Sequence, residues 1–226
     1  MTGTDTAVGK TEVAVQILRM LSADGVRAGA YKPVCSGAVE ETGQEVWWDD
    51  LERLRKVLGA AWPIEAICPQ RFLAPLAPSM AARLEGRQVD FSLAVSGARW
   101  WDEQVDFLVV EGAGGLLAPV SDDTSVADLA SQLGLPMIIV ARCGLGTINH
   151  TLLTIEAARC RGLKIAGIVL NQSHPADDYS LAEENATEIE SRGRIPILGV
   201  LKWGEPDGLH RHGRPVTINW SELARS

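Results

Sequence analysis

Gly9-Lys10-Thr11, preceded by Gly3 and a short polar run, is a set of residues able to hold a polyphosphate. The pattern is that of a phosphate-binding loop, G-x-x-x-x-G-K-[ST], except that one extra residue separates Gly3 from Gly9 and Thr4 stands in the usual glycine slot. Backbone N–H groups at a helix N-terminus lack internal partners and carry partial positive charge, so they can wrap phosphate oxygens. Gly9 lets the backbone approach, Lys10 supplies a point charge for the β- and γ-phosphates, and Thr11 offers a hydroxyl to Mg²⁺. A second set of polar residues follows apolar runs. Lys32 ends Arg27–Lys32, Glu111 ends Phe107–Glu111 and is followed by Gly112-Ala113-Gly114-Gly115, and Asn171 follows Lys164–Leu170. A carboxylate between an apolar run and a glycine loop must be paired, hydrated or metal-bound to stay charged.

These side chains must be positioned by the elements that carry them. Val13, Ile17 and Leu21 repeat at helical spacing, which predicts an amphipathic helix over Lys10–Ala23 ended by Gly25. Arg27–Lys32 reads as a strand stopped by Pro33, Val34–Glu45 as a polar loop, and Asp49–Leu58 as a helix with Leu51, Leu54 and Leu58 on one face. Ala61–Pro78 is proline-rich and irregular, and helices follow at Ser79–Glu85 and Phe91–Trp101. Strands at Phe107–Glu111, Pro136–Ala141, Lys164–Leu170 and Ile195–Val200 alternate with helices at Ser125–Leu133, Ile148–Arg161 and Leu181–Ser191. That alternation predicts an α/β fold: a mostly parallel, doubly wound sheet flanked by helices in three layers, as in P-loop NTPases. Residues 1–226 form one such domain, with no internal repeat or linker. In these sheets ligands bind beyond the C-terminal strand ends, where Lys32, Glu111, the Leu145–His150 turn and Asn171 gather.

One expectation concerns the start. A phosphate loop is fed by a buried strand, and only Met1 and Thr2 precede Gly3. The first strand therefore reads as missing, to be supplied upstream of Met1 or by another segment. Asp49 and Asp50 open a helix, where either could favour its dipole or bind metal, and the residues alone leave that open. Trp47-Trp48 and Trp100-Trp101 read as packing or interface residues, and His150, His210 and His212 as no metal site.

A chain of 226 residues is long enough to bury a sizeable core. Its net charge of −8 argues against non-specific binding to nucleic acid or to an anionic membrane. No apolar run approaches the ~20 residues of a membrane span. Cys35, Cys68, Cys143 and Cys160 are widely spaced, which argues against a zinc site or disulfide framework and for a reducing cytoplasm.

Five blocks together resemble the dethiobiotin synthetases: Thr2–Thr11, Tyr31–Gly37, Val110–Gly115, Gly144–His150 and Gly167–Asn171. They occur in that family's order, and the longer Gly3–Gly9 spacing is the family's own variant. The resemblance implies a homodimeric, ATP- and Mg²⁺-dependent enzyme that converts 7,8-diaminopelargonate and CO₂ to dethiobiotin, with release of ADP and phosphate. It implies that Lys10 stabilises the transferring phosphoryl group and Lys32 the carbamate. Thr11, Asp49 and Glu111 would hold Mg²⁺, the choice of Asp49 over Asp50 resting on its distance from Leu51. The nucleotide would contact Thr6, Ala7, Val8, Gly9, Lys10, Thr11, Asp49, Glu111, Gly112, Ala113, Gly114, Asn171, Gln172, Val200, Leu201 and Lys202, with Asn171 reading the adenine edge. The substrate would contact Thr6, Lys32, Ser36, Leu145, Gly146 and Asn149, with Asn185 reaching across from the partner subunit. Ala7 replaces a glutamate that many members carry, and Lys202 replaces the proline of the usual base loop. Two other readings compete on the same residues. A MinD/ParA-type switch ATPase would carry an extra lysine early in the loop, and Gly3–Val8 has none; a non-catalytic regulatory domain would have little use for Lys10, Lys32, Asp49 and Glu111 together.

Overall fold

The computed structural model describes residues 1–40, 45–59, 61–205 and 208–224. A short strand β1 (Thr2–Gly3) passes through the phosphate loop into helix α1 (Lys10–Ala23). Val13, Ala14, Ile17, Leu18 and Leu21 are buried along α1, as the helical spacing predicts. The helix ends where Asp24 N–H donates to Met20 O and Gly25 takes a left-handed φ of 75°. Then come β2 (Ala28–Tyr31), β3 (Val34–Ser36), α2 (Asp49–Val57), α3 (Ile64–Ile67), β4 (Gln70–Phe72), α4 (Pro78–Leu84) and α5 (Phe91–Trp100). The remainder alternates: β5 (Phe107–Val110), α6 (Val126–Leu133), β6 (Met137–Arg142), α7 (Thr147–Cys160), β7 (Ile165–Asn171), α8 (Ala182–Gly193) and β8 (Ile197–Leu201). A hairpin of β9 (His210–Arg211) and β10 (Arg214–Pro215) and a final turn of helix, α9 (Trp220–Leu223), complete the described chain.

Local chemistry sets several boundaries. Ser125 Oγ accepts from Asp128 N–H while Asp128 accepts from Ser125 N–H, a reciprocal cap that starts α6. Such a cap contributes about 1 kcal/mol. Gly134, with φ of 65°, ends the same helix. Asp90 caps α5 by accepting from Leu93 N–H at 2.9 Å.

Strands β6, β7 and β8 are parallel neighbours, and the hairpin extends them, giving the order β1-β6-β7-β8-β9-β10. Strand β2 pairs in parallel with β5, and β3 with β4. The apolar runs at β6, β7 and β8 are buried because helices cover them, so they do not alternate with polar residues. One core cluster packs α1, α2 and β2 around Leu18, Tyr31, Leu51 and Trp101. A second packs β6, β7, α7 and α8 around Ile139, Ile155, Ile168 and Ile189. Trp62, Trp100 and Trp101 meet edge to face with centroids 4.8–6.0 Å apart, and Trp101 Nε1 donates to Ala66 O at 3.2 Å. Trp100 and Trp101 pack, as their pairing in the sequence suggested.

Three expectations are corrected. The strand before the phosphate loop is present but reduced to Thr2–Gly3, paired in parallel with β6 through Thr2↔Ile139 and Gly3↔Val140. Val34–Ser36, read as the start of a loop that runs on to residues outside the described set, is a strand, and Gln70–Phe72, read as irregular, is its parallel partner. The hairpin β9–β10 was not foreseen either. Strands of two or three residues carry too little periodicity to be read, and only pairing defines them. No helix among the described residues is long and apolar enough to cross a membrane.

Candidate active site

The phosphate loop, the C-terminal ends of β2, β5 and β7 and the first turn of α2 surround a cleft of about 790 Å³. That is the size of a small-molecule site, at the strand ends where parallel sheets bind ligands. Gly9 starts α1 with φ of 86°, a left-handed conformation that glycine adopts without strain. A Cβ at this position would collide with Asn171 Nδ2, which itself donates to Val8 O at 2.9 Å. Strand β7 thus clamps the loop through Asn171, and Gly9 is the residue that permits the approach.

Two buried lysines enter the cleft from different elements. Lys10, 7% exposed, opens α1 and its Nζ lies 3.4 Å from Asp5 O. Burial lowers its pKa, with Glu111 opposing and Lys32 reinforcing that shift. Lys32, 4% exposed, follows β2, and its Nζ stands 2.6 Å from Glu111 Oε1 and 2.7 Å from Asp50 Oδ2. Burial by itself favours the neutral amine, but Glu111 and Asp50 outweigh it and hold the ammonium above the ordinary lysine range. Burial likewise pushes the Asp50 carboxyl up, and Lys32 overrides it to hold Asp50 below the usual range.

Thr11 Oγ1 lies 2.7 Å from Asp50 Oδ1 and 2.8 Å from Glu111 Oε1. A hydroxyl carries one proton and can donate to only one of these oxygens. Glu111 is 1% exposed, and its Oε2 is buried without a hydrogen-bond partner. The cluster therefore holds more acceptor oxygens than donors. Hydroxyl and carboxylate oxygens in surplus are the donor set a hard divalent cation takes, with phosphates and water completing its shell. Thr11, Asp50 and Glu111 fit Mg²⁺ on that ground.

The aspartate assignment is corrected by this geometry. Asp50 faces the cleft, whereas Asp49 accepts from Trp47 Nε1 at 3.2 Å and does not line it. In a helix the two neighbours point about 100° apart. Asp50 lies four residues before the buried Leu54 and is half-buried, while Asp49 is exposed. That spacing was the available signal. Asp50→Asn is expected to raise the Mg²⁺ concentration needed for activity roughly ten- to hundredfold, and Asp49→Asn to leave it within about twofold, inside the ordinary scatter for surface changes. Mg²⁺ titrations of the two variants check this; equal effects would place the metal elsewhere.

The other expected contacts divide. Thr6, Ala7, Gly9, Lys10, Thr11, Lys32, Ser36, Glu111, Ala113, Gly114, Asn171, Gln172 and Lys202 line the cleft. Ala7 takes a left-handed φ of 57°. Ser36 Oγ donates to Leu76 O at 2.6 Å. Gln172 Nε2 donates to Asp177 O and its Oε1 accepts from Trp203 N–H, tying the two loops together. Lys202 pairs with Glu205 at 2.5 Å and lies over the Tyr179 ring. Val8, Val200 and Leu201 are core residues, 0–1% exposed, and do not line the cleft. Gly112 faces away from it, and its N–H donates to Met1 O. Leu145, Gly146, Asn149 and Asn185 do not line the cleft of the single chain, and Leu145 is 99% exposed. Glu12, Arg53 and Trp203 do line it and were not foreseen, since a surface ion pair and a loop indole have no spacing signature.

A family model described as an AAA domain, AAA_26, matches residues 1–206. An ATP-dependent dethiobiotin synthetase of Anaeromyxobacter dehalogenans (strain 2CP-C) is 51% identical over 207 residues, 92% of this chain and 90% of that protein. Enzymes of the same name from Anoxybacillus flavithermus and Methanococcus vannielii are 41% and 34% identical, each over 89% of this chain and 89% and 91% of their own. Among solved structures, the MinC:MinD cell division complex of Aquifex aeolicus superposes with a TM-score of 0.52 at 12% identity, covering 89% of this chain and 79% of that one. A ParA family ATPase from Chlorobium tepidum gives 0.52 at 13%, covering 91% and 84%. At such identities the structural likeness speaks for the fold, a P-loop NTPase-like α/β sheet. Identity of up to half the residues over nine-tenths of both chains speaks for kinship: this chain belongs to the ATP-dependent dethiobiotin synthetase family.

Proposed function

We propose that the chain catalyses the ATP-dependent ring closure of biotin synthesis, forming dethiobiotin from 7,8-diaminopelargonate and CO₂. One amine takes up CO₂ as a carbamate. A carbamate oxygen attacks the γ-phosphorus of ATP, ADP leaves, and a carbamic–phosphoric anhydride results. The second amine then attacks the anhydride carbon, closing the ureido ring and expelling phosphate. The observation that carries this reading is the convergence of Lys10 and Lys32 on the phosphate loop in a cleft large enough for nucleotide and diamine together.

The protein's part is positioning and charge stabilisation. Backbone N–H groups of the loop and Lys10 hold the polyphosphate, and Lys10 neutralises charge that builds on the transferring phosphoryl group. Lys32, kept protonated, is the cation for the carbamate. Thr6 and Ser36 line the same cleft and are assigned to the diamine and carbamate. Mg²⁺ held by Thr11, Asp50 and Glu111 would supply Lewis-acid neutralisation of the phosphates. Asn171 and Gln172, which line the cleft together with Lys202 and Glu205, are assigned to the nucleotide base.

Leu145, Gly146, Asn149 and Asn185 are assigned to the substrate site of a homodimer, where a second copy would bring them to the diamine. The full exposure of Leu145 supports that reading, because an apolar side chain left in water gains from a partner surface. The small-molecule substrates, the net charge of −8 and the four free cysteines fit a cytoplasmic enzyme that does not bind nucleic acid or membrane.

The test is coupling. ADP release by the purified protein should require both 7,8-diaminopelargonate and bicarbonate, and omission of either should lower it at least about tenfold, or ~1.4 kcal/mol in barrier. Hydrolysis that ignores both substrates would favour a switch ATPase instead.

A further inference from the structure

Thr11 is followed on α1 by Glu12, Gln16 and Arg19, which recur at steps of four and three residues and line the cleft along one face of the helix. From Glu12 to Arg19 that face is about 10 Å long at ~1.5 Å per residue, so the cleft continues past the phosphate loop. Arg53 joins it from α2, one turn after Asp50, and its guanidinium pairs with Glu12 Oε2. Gln16, 3% exposed, donates to the other oxygen, Glu12 Oε1, at 3.0 Å. Both oxygens of the carboxylate are therefore engaged, one by a buried amide and one by a long side chain that is 47% exposed and free to swing.

An acid in this place works against the loop. Val13 N–H is the first in α1 to bond back, to Gly9 O at 3.1 Å, which leaves the N–H groups of Lys10, Thr11 and Glu12 to phosphate oxygens. The Glu12 carboxylate repels the anion that its own backbone attracts, unless a cation stands between them. Two residues apart, Lys10 and Glu12 point about 200° apart around α1. Lys10 Nζ reaches back over the loop towards Asp5 O, and Arg53 is the cation paired with Glu12 on the other side. A triphosphate held by Lys10 at its β- and γ-phosphates therefore passes its α-phosphate and then its ribose along the face that carries Glu12.

We infer that Arg53 is a nucleotide-binding residue, which exchanges Glu12 for the α-phosphate when ATP binds. The inference rests on the reading of the cleft as an ATP site. A phosphate offers the guanidinium the same pair of oxygens as a carboxylate, within a more highly charged group, so the exchange is favourable. Glu12 is the resting partner that aims Arg53 at the cleft, and Gln16 holds Glu12 in place once Arg53 has moved. Glu12 also competes with the nucleotide for the same cation. It therefore lowers affinity for ATP and ADP together and helps the spent nucleotide to leave.

The experiment measures Kd for Mg²⁺-ATP and Mg²⁺-ADP by calorimetry on the parent chain, Arg53→Ala, Arg53→Lys and Glu12→Gln, with a melting temperature for each. Arg53→Ala is expected to weaken ATP and ADP alike, by about ten- to hundredfold. Arg53→Lys should recover only part of that, because an ammonium does not hold two oxygens in one plane. Glu12→Gln is expected to tighten both nucleotides at least about twofold. The opposite signs separate this role from a strut between α1 and α2, which either variant would weaken in the same direction. Unchanged affinities in Arg53→Ala, or a weaker Glu12→Gln, would overturn the inference. A loss confined to ATP would place Arg53 at the γ-phosphate and overturn it as well. A parent chain that binds neither nucleotide would overturn the ATP reading of the cleft, and this inference with it.

Discussion

Lys32→Ala is expected to lower turnover at least about tenfold at saturating substrates and to destabilise the fold as well. Each charge-assisted hydrogen bond to a reacting oxyanion contributes about 1.5–3 kcal/mol, and ~1.4 kcal/mol is a factor of ten in rate. The stability loss has a separate origin. Glu111 is 1% exposed, and Lys32 is the cation at 2.6 Å from it. Removing one member of a buried pair leaves an uncompensated charge, at a cost of about 3–5 kcal/mol. Mg²⁺ should restore part of that stability in the variant, because a divalent cation satisfies the same carboxylate. Turnover comes from single-turnover and steady-state kinetics, and stability from denaturant melts with and without Mg²⁺. Near-normal turnover would remove Lys32 from the chemistry, and unchanged stability would mean that Glu111 has another partner.

Gly9→Ala is the second large effect, and it should weaken ATP binding strongly. A non-glycine residue at φ of 86° costs about 1–2 kcal/mol in backbone strain alone. Its Cβ would also collide with Asn171 Nδ2, so the bond from Asn171 to Val8 O must break or the loop must shift. Either change moves the N–H groups that wrap the phosphates. An ATP Kd weakened at least about a hundredfold is expected, the sum of strain and a lost clamp being ~3 kcal/mol. Gly9→Ala combined with Asn171→Ala should regain part of the lost Tm, since the collision is gone, but not the affinity. If the single variant binds ATP normally, the loop is not held as described.

Much of the site was legible because its residues sit at chain landmarks. Lys10 opens a helix after Gly9, and Lys32, Glu111 and Asn171 each close an apolar strand, so a parallel sheet must bring them to one edge. Asp50 was not chosen because its distance from Leu51 was weighed and its place one turn before Leu54, on the buried side of α2, was not. Strands β3 and β4 escaped notice because three residues have no period, and they exist through each other's hydrogen bonds. The central strand was expected to be lacking. What stands there is Thr2–Gly3, paired in parallel with β6 and leading directly into the phosphate loop. Leu145, Gly146, Asn149 and Asn185 do not line the cleft of the single chain, and no spacing in the sequence could show that.

The function itself is tested most directly by following carbon. The purified chain, given 7,8-diaminopelargonate, Mg²⁺, ATP and ¹³C-bicarbonate, should yield dethiobiotin with the label in its ureido carbonyl and with one ADP formed per ring closed. ADP accumulating without labelled dethiobiotin would contradict the account.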